Sequence, residues 1–135
     1  MALEAAIGGV AAIALILAVR AVRFEPALVL AMVTLPLFYA AFALIDGNAM
    51  HALTEIAVGI PFLVGGVLLF RAGDRRLLTV AGAFWIAHGV FDVVRDGWLS
   101  NDGVPGWYPA FCLGVDVAIG AYLIVQSRQP VAAAS

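Results

Sequence analysis

Five long apolar runs, parted by short polar stretches, constrain this chain more than any other feature. They read as about 5–22, 27–45, 52–70, 77–94 and 107–125. Each approaches the roughly 20 residues that an α-helix needs to cross a hydrocarbon core. The runs are continuous rather than alternating, and too long for barrel strands. In lipid, every backbone polar group must find a partner within its own segment, which leaves helices. The expected fold is all-α: one polytopic transmembrane bundle of five helices, a single domain over residues 1–135. The punctuation agrees with it. Glu25-Pro26 puts a proline in the first turn of the second run, and Asp46-Gly47-Asn48 is a turn signal after it. Arg71 to Arg76 closes the third run, and the longest loop is Arg95 to Gly106.

Composition narrows the function classes. The chain is 64% hydrophobic and 12% charged, with mean hydropathy +1.07, against about 25% charged in a soluble domain. Seven arginines, no lysine and nine acids give net −2 without a basic patch, so nucleic acid is not an expected partner. A single cysteine excludes a disulfide framework within the chain and a self-contained CxxC zinc site. The first run lacks a basic leader, and arginines rather than a small-residue cleavage site follow it, so it reads as a retained helix.

Arginine placement sets an expected orientation. Arg20, Arg23, Arg71, Arg75, Arg76 and Arg128 flank one end of the helices, and only Arg95 lies at the other. Basic residues stay cytoplasmic, which predicts the N-terminus outside, the C-terminus inside, and residence in the cell's inner (plasma) membrane. Trp98, Trp107 and Tyr108 then form an aromatic belt at the outer interface. Gly114-x-x-x-Ala118 and Ala83-x-x-x-Ala87 are candidate helix-packing faces.

Most charges mark loops and helix ends, but Glu55, His88, Asp92 and Asp116 fall inside apolar runs. A charge at a helix centre costs roughly 2.5–3.5 kcal/mol on insertion scales, so each needs a partner, a proton or a role. At about 1.5 Å of rise per residue, Glu55 and Asp92 lie roughly 5 Å below the outer ends, and His88 and Asp116 roughly 10–14 Å. All four share the outer half of the membrane, on three helices. His88 and Asp92 are spaced i,i+4, as are His51 and Glu55, and Cys112 and Asp116, so each pair shares a helix face. The expected cavity is floored by carboxylates and walled by Tyr39, Trp85, Tyr108 and Cys112. Plainer readings exist for several residues. Glu55 could snorkel to the interface, Asp92 could pair with Arg95 at a helix end, His88 could bond a core carbonyl, and Cys112 could be a small buried hydrophobe. His51 falls in the outer loop on this reading. Three ionised carboxylates with one neutral histidine would place −3 in a low-dielectric site with no basic residue among the central positions. Like charges so close cannot all ionise. A proton, a cationic histidine or a bound cation must therefore balance them.

The segment Trp85-Ile86-Ala87-His88-Gly89-Val90-Phe91-Asp92-Val93-Val94, with Leu113-Gly114-Val115-Asp116, Glu55 and Glu25-Pro26, resembles a family of small bacterial multi-pass membrane proteins classed as a domain of unknown function. Its members carry an aromatic-x-x-His-x-x-x-Asp-Val-Val helix, a short proline-bearing loop, and a helix with a Cys/Gly-rich stretch and an aspartate. The resemblance spans about Arg23–Leu123, and its specific part is about ten residues. After Asp92, where that pattern has a histidine, this chain has Arg95-Asp96, so a second histidine ligand is not carried over. The family brings no assigned activity.

Two kinds of function suit such a site. One is a membrane-embedded enzyme doing acid–base chemistry (isomerisation, cyclisation or hydration) on a lipophilic small molecule. There Asp116 and Glu55 are the acid–base pair, Asp92 orients His88, and Trp85 and Tyr108 shape the substrate. The alternative is a small proton-coupled transporter or a metal-binding membrane protein. Pro36, Pro61, Gly59, Gly65 and Gly66 would supply the helix irregularities that rocking motions use. No cofactor is required by the first reading; a divalent metal, if one binds, would take His88, Asp92, Asp116 and Glu55. The expected partners are the bilayer and a lipophile, with a homodimer as the alternative assembly.

Overall fold

The computed structural model describes residues 1–129, with the backbone only at 96. Five helices are long and apolar enough to cross a membrane: α1 (Ala2–Ala21), α2 (Pro26–Ile45), α3 (Ala49–Ala72), α4 (Arg75–Val94) and α5 (Tyr108–Arg128). The chain is thus a multi-pass membrane protein with an all-α fold, and no strand occurs among the described residues. Large apolar side chains point outward on α1, among them Leu3, Ile7, Val10, Ile13 and Leu17. A soluble fold would bury such a surface; a bilayer solvates it.

The helix ends differ from the sequence expectation by a few residues, for local reasons. The third helix starts at Ala49 rather than near 52 because the Asn48 side chain accepts a hydrogen bond from the His51 N–H (3.0 Å) and caps it. His51 therefore sits in the first helical turn, not in the loop. The same helix runs on to Ala72 and stops at Gly73, whose φ of 61° supplies a left-handed cap. The second helix tightens to 3₁₀ geometry over Ala31–Thr34. Pro36 has no N–H to give to the carbonyl four residues back, and its ring crowds that carbonyl.

Helix α5 is the hub, packed between α1 and α4, while α2 packs along α3. The apolar core joins the two groups: Ala12, Ile16 and Val19 of α1, Leu28, Val29, Met32 and Leu35 of α2, Ala81 and Trp85 of α4, Ile119 and Leu123 of α5. Close approach depends on glycine. On α1 and α5, a Cβ at Gly8 or Gly114 would strike the opposing backbone at Phe111 or Ala5, and Ala118 packs against the apolar core, so the expected Gly114-x-x-x-Ala118 face is a packing face. The Ala83-x-x-x-Ala87 face is not: both alanines are exposed, and Gly82 and Gly89 on the adjoining face make the approach to α5. Consecutive helices α3 and α4 hardly touch along their backbones. Rings fill the space between them, Phe62 standing edge-on to Phe84 with centroids 5.8 Å apart.

The six arginines of one end fall together, as up-and-down connectivity requires. There Arg75 donates to the Gln126 carbonyl through Nε and Nη2 (3.1 and 2.8 Å), Gln126 donates to the Tyr122 hydroxyl (2.8 Å), and Tyr122 donates to Glu25 (3.1 Å). This chain of bonds ties α2, α4 and α5 at the arginine-rich end. The candidate site lies at the other.

Candidate functional site

Three of the four expected polar residues meet. Gly89 lets α4 lie against α5 at Asp116; a Cβ there would come within 2.9 Å of the Asp116 Cβ. The neighbouring His88 then places Nδ1 2.8 Å from Asp116 Oδ2 and 3.5 Å from Asp92 Oδ2. All three are buried, Asp92 completely. One ligand atom from each lies within 4.8 Å of the others, so these residues could hold a metal ion. Both oxygens of Asp92, Oδ1 of Asp116 and the Tyr39 hydroxyl are buried without a hydrogen-bond partner among the described residues. The Cys112 thiol and the Tyr39 and Tyr108 hydroxyls all have Asp92 as an electrostatic neighbour.

Glu55 stands apart from that trio. It is buried, so it does not snorkel, and it accepts from the Arg95 guanidinium and from Asn101 Nδ2 (2.9 Å). Asn101 also donates to the Tyr39 carbonyl (3.1 Å), which folds the long loop over the ends of α2 and α3. The Arg95 guanidinium lies over the Tyr39 ring, 4.1 Å from its centroid, a cation–π contact strengthened by burial. Tyr39 thus adjoins both clusters, its ring under Arg95 and 6.5 Å from the His88 ring.

This arrangement corrects four expectations. Arg95 is not a loop residue: a 3₁₀ turn over Arg95–Gly97 prolongs α4, and the side chain is 1% exposed. The signal was in the spacing, because 88, 92 and 95 fall at i, i+4 and i+7 on one helix face. The expected charge of −3 is therefore reduced to −2 by the Glu55–Arg95 pair, and Asp116 has His88 rather than Glu55 as its polar neighbour. Trp85 does not wall the site. It sits in the apolar core, and its indole N–H donates to the Leu28 carbonyl (3.0 Å). The rings around His88 are instead Phe62, 4.8 Å away and edge-on, and Tyr39, which Tyr108 buttresses at 5.5 Å.

His88 opens onto a narrow cleft of about 10 Å³, lined also by Pro36, Tyr39, Glu55, Val58, Gly59, Phe62, Phe91 and Arg95. That is close to the volume occupied by one water, so a larger guest must part α3 from α4. Comparisons with protein-family models, with curated proteins and with solved structures found no match.

Proposed function

We propose that this protein is a membrane-embedded enzyme performing acid–base chemistry on a lipophilic small molecule that enters from the bilayer between α3 and α4. One observation carries the reading: His88 Nδ1 lies between two buried carboxylates, 2.8 Å from one and 3.5 Å from the other. An imidazole held in this way keeps its tautomer and has its cationic form stabilised when it takes a proton. Nε2 is then the ring nitrogen available to a substrate in the cleft. Asp116 orients the ring and balances its charge, and Asp92 holds the second proton position. The guest's class follows from the walls. Pro36, Val58, Phe62 and Phe91 form its apolar walls, the charges of Glu55 and Arg95 there are spent on each other, and a guest would enter between the loosely apposed backbones of α3 and α4 by displacing the Phe62 and Phe84 rings.

The reaction class (isomerisation, cyclisation or hydration) shares one signature, the transfer of solvent hydrogen to carbon. Protein in vesicles doped with the neutral-lipid fraction of the host membrane, incubated in D₂O, is expected to place deuterium on carbon in one component. Removing a general acid–base costs about 10²–10⁴-fold, so His88→Gln and Asp116→Asn should suppress that labelling at least a hundredfold. No labelling by the wild-type protein would overturn the reading.

The orientation belongs to the same proposal. The six arginines at one end support a cytoplasmic location for it in the plasma membrane and an outward-facing site. Ser100 is exposed at the site end and Cys112 is buried. Ser100→Cys should therefore react with a membrane-impermeant maleimide in whole cells; protection there with reaction in inverted vesicles reverses the orientation.

A further inference from the structure

We infer that His88, Asp92 and Asp116 bind one divalent first-row cation; Nδ1 then faces the ion, the ring proton lies on Nε2, and His88 serves the acid–base centre as proton donor rather than base. This rests on the reading of that cluster as the reacting site. Bonds of about 2.1 Å to nitrogen and carboxylate oxygen put neighbouring ligand atoms about 3.0–3.4 Å apart on the faces of octahedral and tetrahedral shells. The separations of 2.8 and 3.5 Å from His88 Nδ1 bracket that span, and the ligand atoms all lie within 4.8 Å of one another, so the two carboxylates draw together by under about 2 Å as the ion binds.

Hydrogen bonding points the same way. A proton on Nδ1 satisfies Asp116 Oδ2 and leaves Asp92, 0% exposed, with neither oxygen partnered among the described residues. An unpaired buried carboxylate is among the costliest groups a protein can hold. A divalent ion reaches Asp92 and Asp116 together and brings two carboxylates and a neutral imidazole to zero net charge. The Tyr39 hydroxyl, also unpartnered and beside Asp92, is placed to orient that ligand from outside the shell. One imidazole and two carboxylates suit Mn²⁺, Fe²⁺ or Zn²⁺ better than the softer ions that thiolate selects. Glu55 is excluded from the ligand set because Arg95 and Asn101 occupy it.

The test uses the full chain in detergent, stripped with EDTA and titrated with Mn²⁺ alone, then with Zn²⁺ as competitor. The expected result is one Mn²⁺ per chain, with nitrogen coupling from one imidazole in its pulsed EPR spectrum. His88→Ala should abolish the nitrogen coupling, and Asp92→Asn and Asp116→Asn should weaken binding at least tenfold. His51→Ala and Glu55→Gln should leave the stoichiometry and the nitrogen signal unchanged. Less than stoichiometric Mn²⁺ and Zn²⁺ on the wild-type chain overturns the inference whatever the variants' folding. So does a nitrogen signal that follows His51. Deuterium labelling that persists in EDTA without bound metal removes the metal and keeps the acid–base reading. Stoichiometric metal without labelling does the reverse.

Discussion

Two buried polar clusters adjoin the Tyr39 ring, and they handle charge in opposite ways. Around Glu55 every charge has a counterpart: Arg95 and Asn101 donate to the carboxylate, and the guanidinium also rests on the Tyr39 ring. Around His88 two carboxylates converge on one imidazole, and four nearby oxygens have no partner among the described residues. The first is a charge-balanced structural joint between α3, the end of α4 and the loop, in which Asn101 Oδ1 alone lacks a partner among the described residues. The second is held together by the surrounding packing and gains nothing from its own excess charge. Polar atoms left unsatisfied in a well-packed interior mark a place where something else is to be bound.

The largest expected effect comes from breaking the charge-balanced joint. Arg95→Met leaves Glu55 as an unpaired buried charge, and breaking such a pair from one side costs about 3–5 kcal/mol. Thermal unfolding in detergent should show a large loss of stability. Adding Glu55→Gln should restore most of it, because an amide needs no counter-ion. A double variant as unstable as Arg95→Met alone would mean that Arg95 acts through its stacking on Tyr39 rather than through Glu55.

The same manipulation at the other cluster should change sign. In EDTA, Asp92→Asn removes a buried carboxylate that accepts no hydrogen bond from the described residues and puts a donor beside His88 and Asp116. Relief of that desolvation is worth about 1–3 kcal/mol, so the variant should unfold at a higher temperature than wild type while losing Mn²⁺ and deuterium labelling. Stabilisation with loss of function is the expected signature of a functional site, where stability is given up for chemistry. Destabilisation of the same size as in Arg95→Met would show that the two clusters are alike, and the contrast would be lost.

Much of this was readable before the structure, and the failures have a common cause. Spans were legible to within a few residues because lipid forces long apolar helices. Glu55, His88, Asp92 and Asp116 stood out because burying them needs a reason. Their division into two clusters was not legible, since it depends on how helices are rotated against one another. Arg95 was missed because it follows the last apolar residue of α4, where a charge ordinarily reaches water; the 3₁₀ turn carries it inward instead. Trp85 shares a face with His88, but it lies one turn closer to α2, whose Leu28 carbonyl takes its N–H. Spacing assigns a face, and only packing decides which neighbour covers it.

A smaller effect should separate the clusters by geometry rather than charge. Gly89→Ala puts a methyl 2.9 Å from the Asp116 Cβ and 3.2 Å from the Leu113 Cα, so α4 must move away from α5. Overpacking of this kind costs about 1–3 kcal/mol, and it should lengthen the His88–Asp116 bond without touching Glu55. Mn²⁺ affinity and labelling should fall together in this variant, while Arg95→Met should change its stability by the same amount as in wild type. Additivity of that kind is expected of sites that share no partner.

The smallest effect concerns the loop. Asn101→Ala removes one donor from Glu55 and one from the Tyr39 carbonyl, but Arg95 still neutralises the carboxylate. The loss should be about 1 kcal/mol, the ordinary net worth of a hydrogen bond, and far below that of Arg95→Met. Metal binding should be unchanged, because Asn101 reaches the first cluster and not the second. If Asn101→Ala instead weakened Mn²⁺ binding tenfold, Tyr39 would be the link. Its carbonyl is held by Asn101 and its hydroxyl stands beside Asp92, so the two clusters would then be coupled through a single side chain. Repeating the titration with Tyr39→Phe, which keeps the ring and removes the hydroxyl, distinguishes coupling through the ring's position from coupling through its hydroxyl.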